Sequence, residues 1–306
     1  MRATVETIGE VSLGRAAWDE AFALAAEFEL GDLLRQLFAR ALDDLLGQGR
    51  LATLEQWIEA AHRLIPAEES VALAEIELAF RKGRWPEAEN KARHLARRLP
   101  REHHLATRTL FRAAQVAQLD DRQDEALGLL DEARERSTTS SDLRRVAWNR
   151  FITLADLEEQ ELAAAALDEF EILPPESLED IVRLSQGPVH FALRWGGIRE
   201  ELEHHRATLE LLDQPIDPVA RSGFLQSYGT ALSLAARYEE AYGVAERQIA
   251  EAKRFGLDWV HPHGLNCEHL RNSACATSMG LRARCARRIV CLKRPMMCMR
   301  RPTPPP

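Results

Sequence analysis

A short motif recurs along most of this chain at a near-constant interval. Each copy combines a turn, an acidic stretch at the start of a helix, and a final small or apolar residue. The five clearest copies have end points that are 38, 38, 38 and 39 positions apart, at Ala88, Ala126, Ala164, Leu202 and Ala241. Two earlier copies, which end at Ala21 and Leu54, extend the series backward with intervals of 33 and 34. A period of this length is typical of stacked helical hairpins.

Turn residues inside the motif set the ends of the predicted helices. Gly83 can end one helix, and Pro86 suits the first turn of the next helix, where its missing N–H has no intrahelical partner. The charged Lys91 and the polar His205 replace the apolar residue expected three positions after the motif, which predicts less regular third and sixth units. The predicted helix pairs are 32–47/51–64, 69–82/86–99, 102–119/123–136, 141–157/161–172, 177–195/199–213 and 217–235/239–255.

These patterns define a fold class. No alternation of period two is long enough to predict a strand. A single hairpin cannot bury its apolar stripe, but a stack of hairpins can, and such a stack curls into a superhelix with a concave face. We therefore predict an all-α, right-handed α-solenoid of about seven tetratricopeptide-like helical hairpins over residues 1–265. A compact bundle without repeats is the alternative.

Composition changes abruptly near residue 266. Residues 1–266 contain 31 Lys and Arg against 47 Asp and Glu, whereas residues 267–306 contain nine basic residues and one acid, Glu268. All five cysteines lie in the second segment. We predict that residues 266–306 form an irregular basic Cys/Arg/Pro-rich tail, disordered or translated out of frame, and a genuine basic tail is the alternative. The acidic body predicts no direct nucleic-acid binding, because phosphate contacts need clustered cations.

The sequence also limits location. The first residues contain no basic segment followed by a continuous apolar run, so no signal peptide is predicted. No stretch approaches the 18 or more apolar residues of a membrane span. Five cysteines confined to one end do not form the framework of a secreted disulfide scaffold. The sequence therefore predicts a cytoplasmic protein with no membrane association.

Two further phrases carry a resemblance to a known family. Residues 38–65 read FARALDDLLGQGRLATLEQWIEAAHRLI after AWDEAFALAAEF at residues 17–28, and residues 255–263 read FGLDWVHPH. Over about residues 15–265 the chain resembles the helical repeat region of the large ATP-dependent LuxR-type transcriptional regulators, the group that includes the maltose activator MalT. In that family a "QGR" turn followed by "ATLEQWI" links the ATPase module to the repeats.

The resemblance does not extend to the catalytic and DNA-binding modules of those regulators. The chain has no G-x-x-x-x-G-K-[ST] loop to bind nucleotide phosphates, and no helix-turn-helix with a basic recognition helix. The resemblance therefore implies the bacterial, effector-binding portion of a truncated regulator, without enzymatic activity and without a cofactor. A free-standing tetratricopeptide-repeat adaptor for protein assembly is the first alternative, and a metal-dependent hydrolase is the second.

The first helix of each hairpin is expected to line the concave face. Counting back from each motif end, we expect polar residues at these positions to contact a protein, a peptide or a small-molecule effector. Neutral amides and a few arginines suit such a polar ligand, and self-association through the repeats is also possible. The candidate residues are Arg108, Gln115, Gln118, Asn149, Thr153, Asp156, Arg194, Gln226 and Thr230.

One cluster has the residue types of a zinc site. His261, His263, Cys267 and His269 lie within nine residues, and imidazole and thiolate are good zinc ligands. Their spacing matches no known ligand pattern, so we predict no metal site and regard the cluster as incidental. No motif of a hydrolytic or nucleotide-dependent enzyme occurs, and we predict no catalytic residues.

Overall fold

The computed structural model describes residues 2–260, without the side chains of His204 and Asp258. In this range the chain forms fifteen α-helices and one short 3₁₀ helix (Asp258–Val260), and no strand. The helices are α1 (Arg2–Gly14), α2 (Trp18–Glu27), α3 (Gly31–Gly47), α4 (Leu51–Leu64), α5 (Glu69–Arg81), α6 (Trp85–Arg98), α7 (Ala106–Leu119), α8 (Gln123–Arg136), α9 (Ser140–Asp156), α10 (Gln160–Ile172), α11 (Leu178–Trp195), α12 (Ile198–His204), α13 (Thr208–Leu211), α14 (Pro218–Leu234) and α15 (Tyr238–Phe255).

These helices stack as seven hairpins in two layers. The first helices of the hairpins, which we call the inner layer, each pack on the next first helix in the order α1, α3, α5, α7, α9, α11 and α14. The second helices are α2, α4, α6, α8, α10, α12 and α15, and we call them the outer layer. Each outer helix contacts its own partner, and α2 to α12 also contact the first helix that follows. The predicted all-α solenoid is confirmed.

The recurring motif is the turn that joins the two helices of a hairpin. In the fourth hairpin Asp121 takes a left-handed φ of 61°, and the amide of Arg122 donates to the carbonyl of Ala117 at 2.9 Å. This bond satisfies a carbonyl that the helix end would leave unpaired. The turns at Gly49 and Gly83 have the same geometry, with φ of 67° and 69°. The motif therefore marks a helix stop followed at once by a helix start.

The last residue of the motif packs between helices, as the sequence predicts, with one change of register. Ala88 and Ala126 are fully buried, and Ala241 is nearly so. In the fifth hairpin the fully buried residue is Ala163 rather than the predicted Ala164, because α10 begins at Gln160. A small side chain at this position lets the two helices approach closely.

The sixth hairpin is irregular, as predicted, and the third is not. The predicted helix 199–213 is broken into α12 and α13 where His205 turns inward to bond Ser185 of α11. In contrast α6 is continuous, because Lys91 stays at the surface with its Nζ 3.3 Å from Glu75. The predicted start of α7 at residue 102 is wrong. Residues 100–105 form turns, and the helix begins at Ala106.

Some predictions concern residues beyond the described range. The tail at 266–306 and the cluster of His261, His263, Cys267 and His269 lie outside the described residues. Within residues 2–260 no helix is both long enough and apolar enough to cross a bilayer.

Candidate functional site at the inner layer

The third and seventh hairpins meet through an ion pair between the end of α5 and the start of α14. Arg81 donates from Nη1 to Asp217 Oδ1 at 3.1 Å and from Nη2 to Oδ2 at 2.5 Å, although the two residues are 136 positions apart. Asp217 also accepts from the amide of Val219 at 2.7 Å and so caps α14. This contact brings the last residue of α5 against the residue that caps α14.

Aromatic side chains that follow α14 in the chain pack at the same contact. Trp259 donates from Nε1 to the carbonyl of Arg81 at 3.1 Å, and its ring lies edge-on to Phe80 and Trp85, with both centroid distances at 5.9 Å. Phe255 lies against the Gly49 turn so closely that a Cβ there would be 2.3 Å from Cδ1 of the ring. We call this contact the seam. It joins Gly49, Phe80, Arg81 and Trp85 to Asp217, Val219, Phe255 and Trp259.

A buried carboxylate lies next to the seam. Glu77 of α5 has no exposed surface and accepts from Arg112 Nη2 at 2.6 Å and from Arg108 Nε at 3.0 Å. Burial alone would raise the pKa of Glu77, but the charges of Arg112, Arg108 and Arg81 hold it well below its usual value of 4.5. Glu77 is therefore a buried anion whose charge is balanced by the surrounding guanidinium groups.

The charges in this cluster balance. Arg108 Nη1 also lies 2.6 Å from Asp43. The cluster therefore contains three carboxylates and three guanidinium groups: Asp43, Glu77 and Asp217 with Arg81, Arg108 and Arg112. An aromatic ring packs on one member of the cluster: the guanidinium carbon of Arg112 lies over the ring of Phe80, 4.1 Å from its centroid. A buried ion network adds little net stability over an apolar core, but removing one member leaves an unpaired charge.

A polar ladder continues along the inner layer from α7 to α11. Gln115 Nε2 donates to Asn149 Oδ1 at 3.1 Å, and Gln118 Nε2 donates to Asp156 Oδ2 at 3.2 Å. Arg194 pairs with the second oxygen of Asp156. Burial raises the pKa of Asp156, although Arg194 and Gln118 oppose the shift. The ladder therefore connects three consecutive hairpins. Its side chains are among those that the sequence analysis predicts for the concave face.

The remaining candidates occupy different positions. Thr153 is buried and donates to the carbonyl of Asn149 at 2.8 Å, and Asn149 itself is buried. Gln226 and Thr230 lie on α14, where they bond each other at 3.3 Å, and Gln226 accepts from Gln248 at 3.3 Å. The structure thus brings Gln115, Gln118, Asn149, Asp156 and Arg194 together with Thr153, places Arg108 in the charge cluster beside them, and places Gln226 and Thr230 in the last hairpin.

Sequence reasoning missed five members of the site: Glu77, Asp43, Arg81, Arg112 and Asp217. A signal for Glu77 was present, because it stands between Ile76 and Leu78 in a stretch of α5, residues 71–80, in which Glu75 is the one other charged residue. A charged residue on the buried face of a helix predicts a charged partner. The identity of that partner could not be read from the chain.

One other arrangement combines a serine, a histidine and an acid. Ser185 Oγ lies 2.6 Å from His205 Nδ1, and Glu201 Oε2 lies 3.0 Å from His205 Nε2. Thr208 Oγ1 is also 2.6 Å from Ser185 Oγ, so the hydroxyl is shared between two partners. These bonds hold α11, α12 and α13 together. Among residues 2–260, no group of three or more His, Cys, Asp or Glu side chains is arranged to hold a metal ion.

The fold is a tetratricopeptide-like stack of helical hairpins. A chain in the crystal structure of the APC/C hetero-tetramer Cut9–Hcn1 is similar to this protein, with a TM-score of 0.57 and 12% sequence identity. The match covers 83% of this chain and 52% of the other, so this chain spans about half the length of that neighbour. No family model and no curated protein matches the sequence.

Proposed function

We propose that this chain is a non-enzymatic helical-repeat adaptor that binds a protein or peptide partner along its inner layer. The tetratricopeptide-like fold supports this proposal, because stacked hairpins provide an extended concave surface. In this proposal the partner is a polypeptide, and no cofactor, nucleic acid or membrane is needed.

The observation that carries the proposal is the polar ladder on α7, α9 and α11. A glutamine amide has two donor protons and a carbonyl with two lone pairs, and the bonds of Gln115 and Gln118 within the ladder leave part of this capacity unused. Arg194 adds guanidinium donors at the surface of the same row. An extended peptide presents N–H and C=O groups at regular intervals, and the ladder offers matching groups in successive hairpins.

A second candidate is the effector-binding portion of a LuxR/MalT-type transcriptional regulator. One specific observation favours it. The two phrases that resemble that family come together at the seam, since Gly49 of the first phrase touches Phe255 of the second. Residues that are distant in the chain but meet in space suit a shared structural role. In this candidate the ladder receives an inducer or an inhibitory protein.

Site-specific photo-crosslinking tests the adaptor proposal. A benzophenone amino acid at Gln118, in the inner layer, is expected to crosslink one partner in cells of the source organism. The same probe at Glu132, on the exposed face of α8, is the matched control and should not capture it. Capture of the same proteins at both positions would contradict the proposal.

Binding measurements with the captured partner complete the test. Gln118→Ala combined with Arg194→Ala should weaken binding by about tenfold or more, since a lost neutral hydrogen bond is worth ~0.5–1.5 kcal/mol and one from the charged Arg194 ~1.5–3 kcal/mol. The control, Glu132→Ala with Glu135→Ala, should change affinity less than about twofold, because both carboxylates lie on the outer layer. Equal losses in the two variants would place the partner elsewhere.

The nature of the partner separates the two candidates. A regulator requires a nucleotide-binding loop and a helix-turn-helix encoded beside this chain, so the neighbouring coding sequence in all three frames is the direct check. Titration of this chain with ATP and with duplex DNA at physiological salt should show no submicromolar binding to either. Sequence-selective DNA binding would overturn both candidates.

A further inference from the structure

A cavity of about 580 Å³ opens beside the seam. Its walls come from the α3–α4 turn, the α5–α6 turn and the end of α15, three segments that are far apart in the chain. Its lining includes Gly49, Leu51 and Ala52 from the first segment, and Phe255 and Gly256 from the last. The cavity is wide open to solvent, and in volume alone it compares with the ~300–1,000 Å³ typical of sites for small molecules.

Four cations line the cavity and no acid does. Lys82 ends α5, Arg84 precedes α6, and Lys253 and Arg254 lie in the last turn of α15. Two of these cations are paired with carboxylates outside the lining: Lys82 lies 2.6 Å from Glu55, and Arg84 lies 2.9 Å from Glu87. Lys253 and Arg254 are exposed, and neither has a carboxylate partner among the side chains that the structure describes. The cavity therefore has an excess of about two positive charges in an otherwise acidic body.

Backbone groups add to this positive field. The cavity lies at the start of α4, where Arg50 gives no side-chain cap and the amide of Ala52 finds no acceptor among the described residues. Free amides and the helix dipole at such an end favour an anion. Leu51 and Phe255 provide apolar wall on either side, so the site combines charge recognition with a surface for an apolar group.

We propose that this cavity binds a small molecule that carries a phosphate or pyrophosphate group. The guanidinium groups of Arg84 and Arg254 match the oxygens of such a group, and Lys82 and Lys253 add charge. The excess of two charges suits a dianion. The site is separate from the ladder on α7, α9 and α11, so it does not depend on the proposed partner. It exists only when the seam is closed, because its lining includes residues from both sides of that contact.

Isothermal titration of the full chain with pyrophosphate tests the proposal. We expect a dissociation constant below about 1 mM at ~0.15 M salt, and weaker binding of citrate, a carboxylate probe of comparable charge. Lys253→Ser with Arg254→Gln should weaken pyrophosphate binding by about tenfold or more, because it removes the two unpaired cations. Both residues are exposed, so circular dichroism should show an unchanged fold.

The matched control is Arg97→Gln with Arg98→Gln. These two residues lie in the last turn of α6, and the variant lowers the net charge by the same amount away from the cavity. It should bind pyrophosphate within about twofold of the unchanged protein. No binding by the unchanged protein would overturn the proposal. Equal loss in both variants, or citrate binding as tight as pyrophosphate binding, would show nonspecific attraction by the basic segment at 267–306 and would overturn it as well.

Discussion

At the scale of the residue, Glu77 controls the charge balance of the inner layer. Glu77→Gln keeps the size of the side chain and leaves Arg108 and Arg112 facing a neutral amide. We expect the free energy of unfolding to fall by ~3–5 kcal/mol, because breaking a buried ion pair strands the remaining charge. Urea unfolding followed by circular dichroism measures this change. Glu87→Gln is the control and should cost less than about 1 kcal/mol, since that carboxylate lies partly exposed on α6.

The pH dependence of stability follows from the same residue. The folded pKa of Glu77 lies below its unfolded value of about 4.5, so its contribution is fully present above pH 4.5 and is lost as pH falls through the folded pKa. The pKa of Asp217 is lowered as well, because Arg81 outweighs the effect of burial. We expect unfolding free energy to decline with acidification below about pH 4.5, with a shallower decline in Glu77→Gln. Equal slopes would contradict the assigned charge state.

Alanine substitutions at two glycines distinguish the cost of backbone strain from the cost of a steric overlap at the seam. Gly49 and Gly83 have almost the same left-handed φ, so Gly→Ala costs both turns a similar ~1–2 kcal/mol of strain. Only the new Cβ at Gly49 would overlap Phe255, at 2.3 Å, whereas the one at Gly83 would meet Trp259 at an ordinary 3.5 Å. Gly49→Ala should therefore destabilise by ~1–3 kcal/mol more than Gly83→Ala in thermal unfolding. Equal losses would mean that the seam is open in solution.

At the scale of the element, two helices carry glycines without a structural need for them. A Cβ added to Gly128 in α8 or to Gly243 in α15 would meet no atom within 4 Å. Gly128→Ala and Gly243→Ala should each raise the free energy of unfolding by ~0.5–1 kcal/mol, because alanine loses less backbone entropy in a helix. Gly187→Ala in α11 is the contrast. Its Cβ would lie 2.6 Å from Leu167 Cδ1, so it should stabilise less or destabilise.

Most helix boundaries could be predicted within one or two residues. Gly83 and Pro86 mark a stop and a start through local backbone chemistry, and this chemistry does not depend on the rest of the fold. The sixth hairpin shows the limit. The break after α12 depends on the bond between His205, in the break itself, and Ser185 of α11, 20 positions earlier. Such a tertiary bond overrides the helical preference of the segment.

The candidate site was predicted only in part, for a related reason. Periodicity placed Gln115, Gln118 and Arg194 on the inner layer because the repeat interval is constant along the chain. It could not predict that Arg81 meets Asp217, since that contact depends on the accumulated curvature of four hairpins. A small rotation at each interface sums to a large displacement at the end of the stack. Sequence spacing carries no measure of that rotation.

At the scale of the whole molecule, the Arg81–Asp217 pair holds the stack closed. Asp217→Asn keeps an oxygen that can cap α14, since asparagine is as good an N-cap as aspartate, but it removes the charge that pairs with buried Arg81. We expect the seam to open and the radius of gyration from small-angle X-ray scattering to rise, while far-UV circular dichroism keeps its helical signal.

The control for that experiment is Asp213→Asn. Asp213 is an exposed acid that pairs with Arg247 at 2.8 Å and lies away from the seam. The scattering profile should remain unchanged in this variant, because exposed pairs contribute little. An unchanged radius of gyration in Asp217→Asn would show that the aromatic contacts of Trp259 hold the seam without the ion pair.

The seam also implies an order of events during folding. Ladder bonds join residues 34 and 38 positions apart, whereas the seam bonds of Arg81 join residues 136 and 178 positions apart. Contacts between neighbouring hairpins close short loops and form early, and long-range contacts form late. On the ribosome, Arg81, Arg108 and Arg112 emerge with two carboxylates and carry one unbalanced positive charge until Asp217 is synthesised. The nascent chain is therefore an open arc with an electrostatically incomplete interior, and the last hairpin, with the residues just after it, supplies both the counter-charge and the closure.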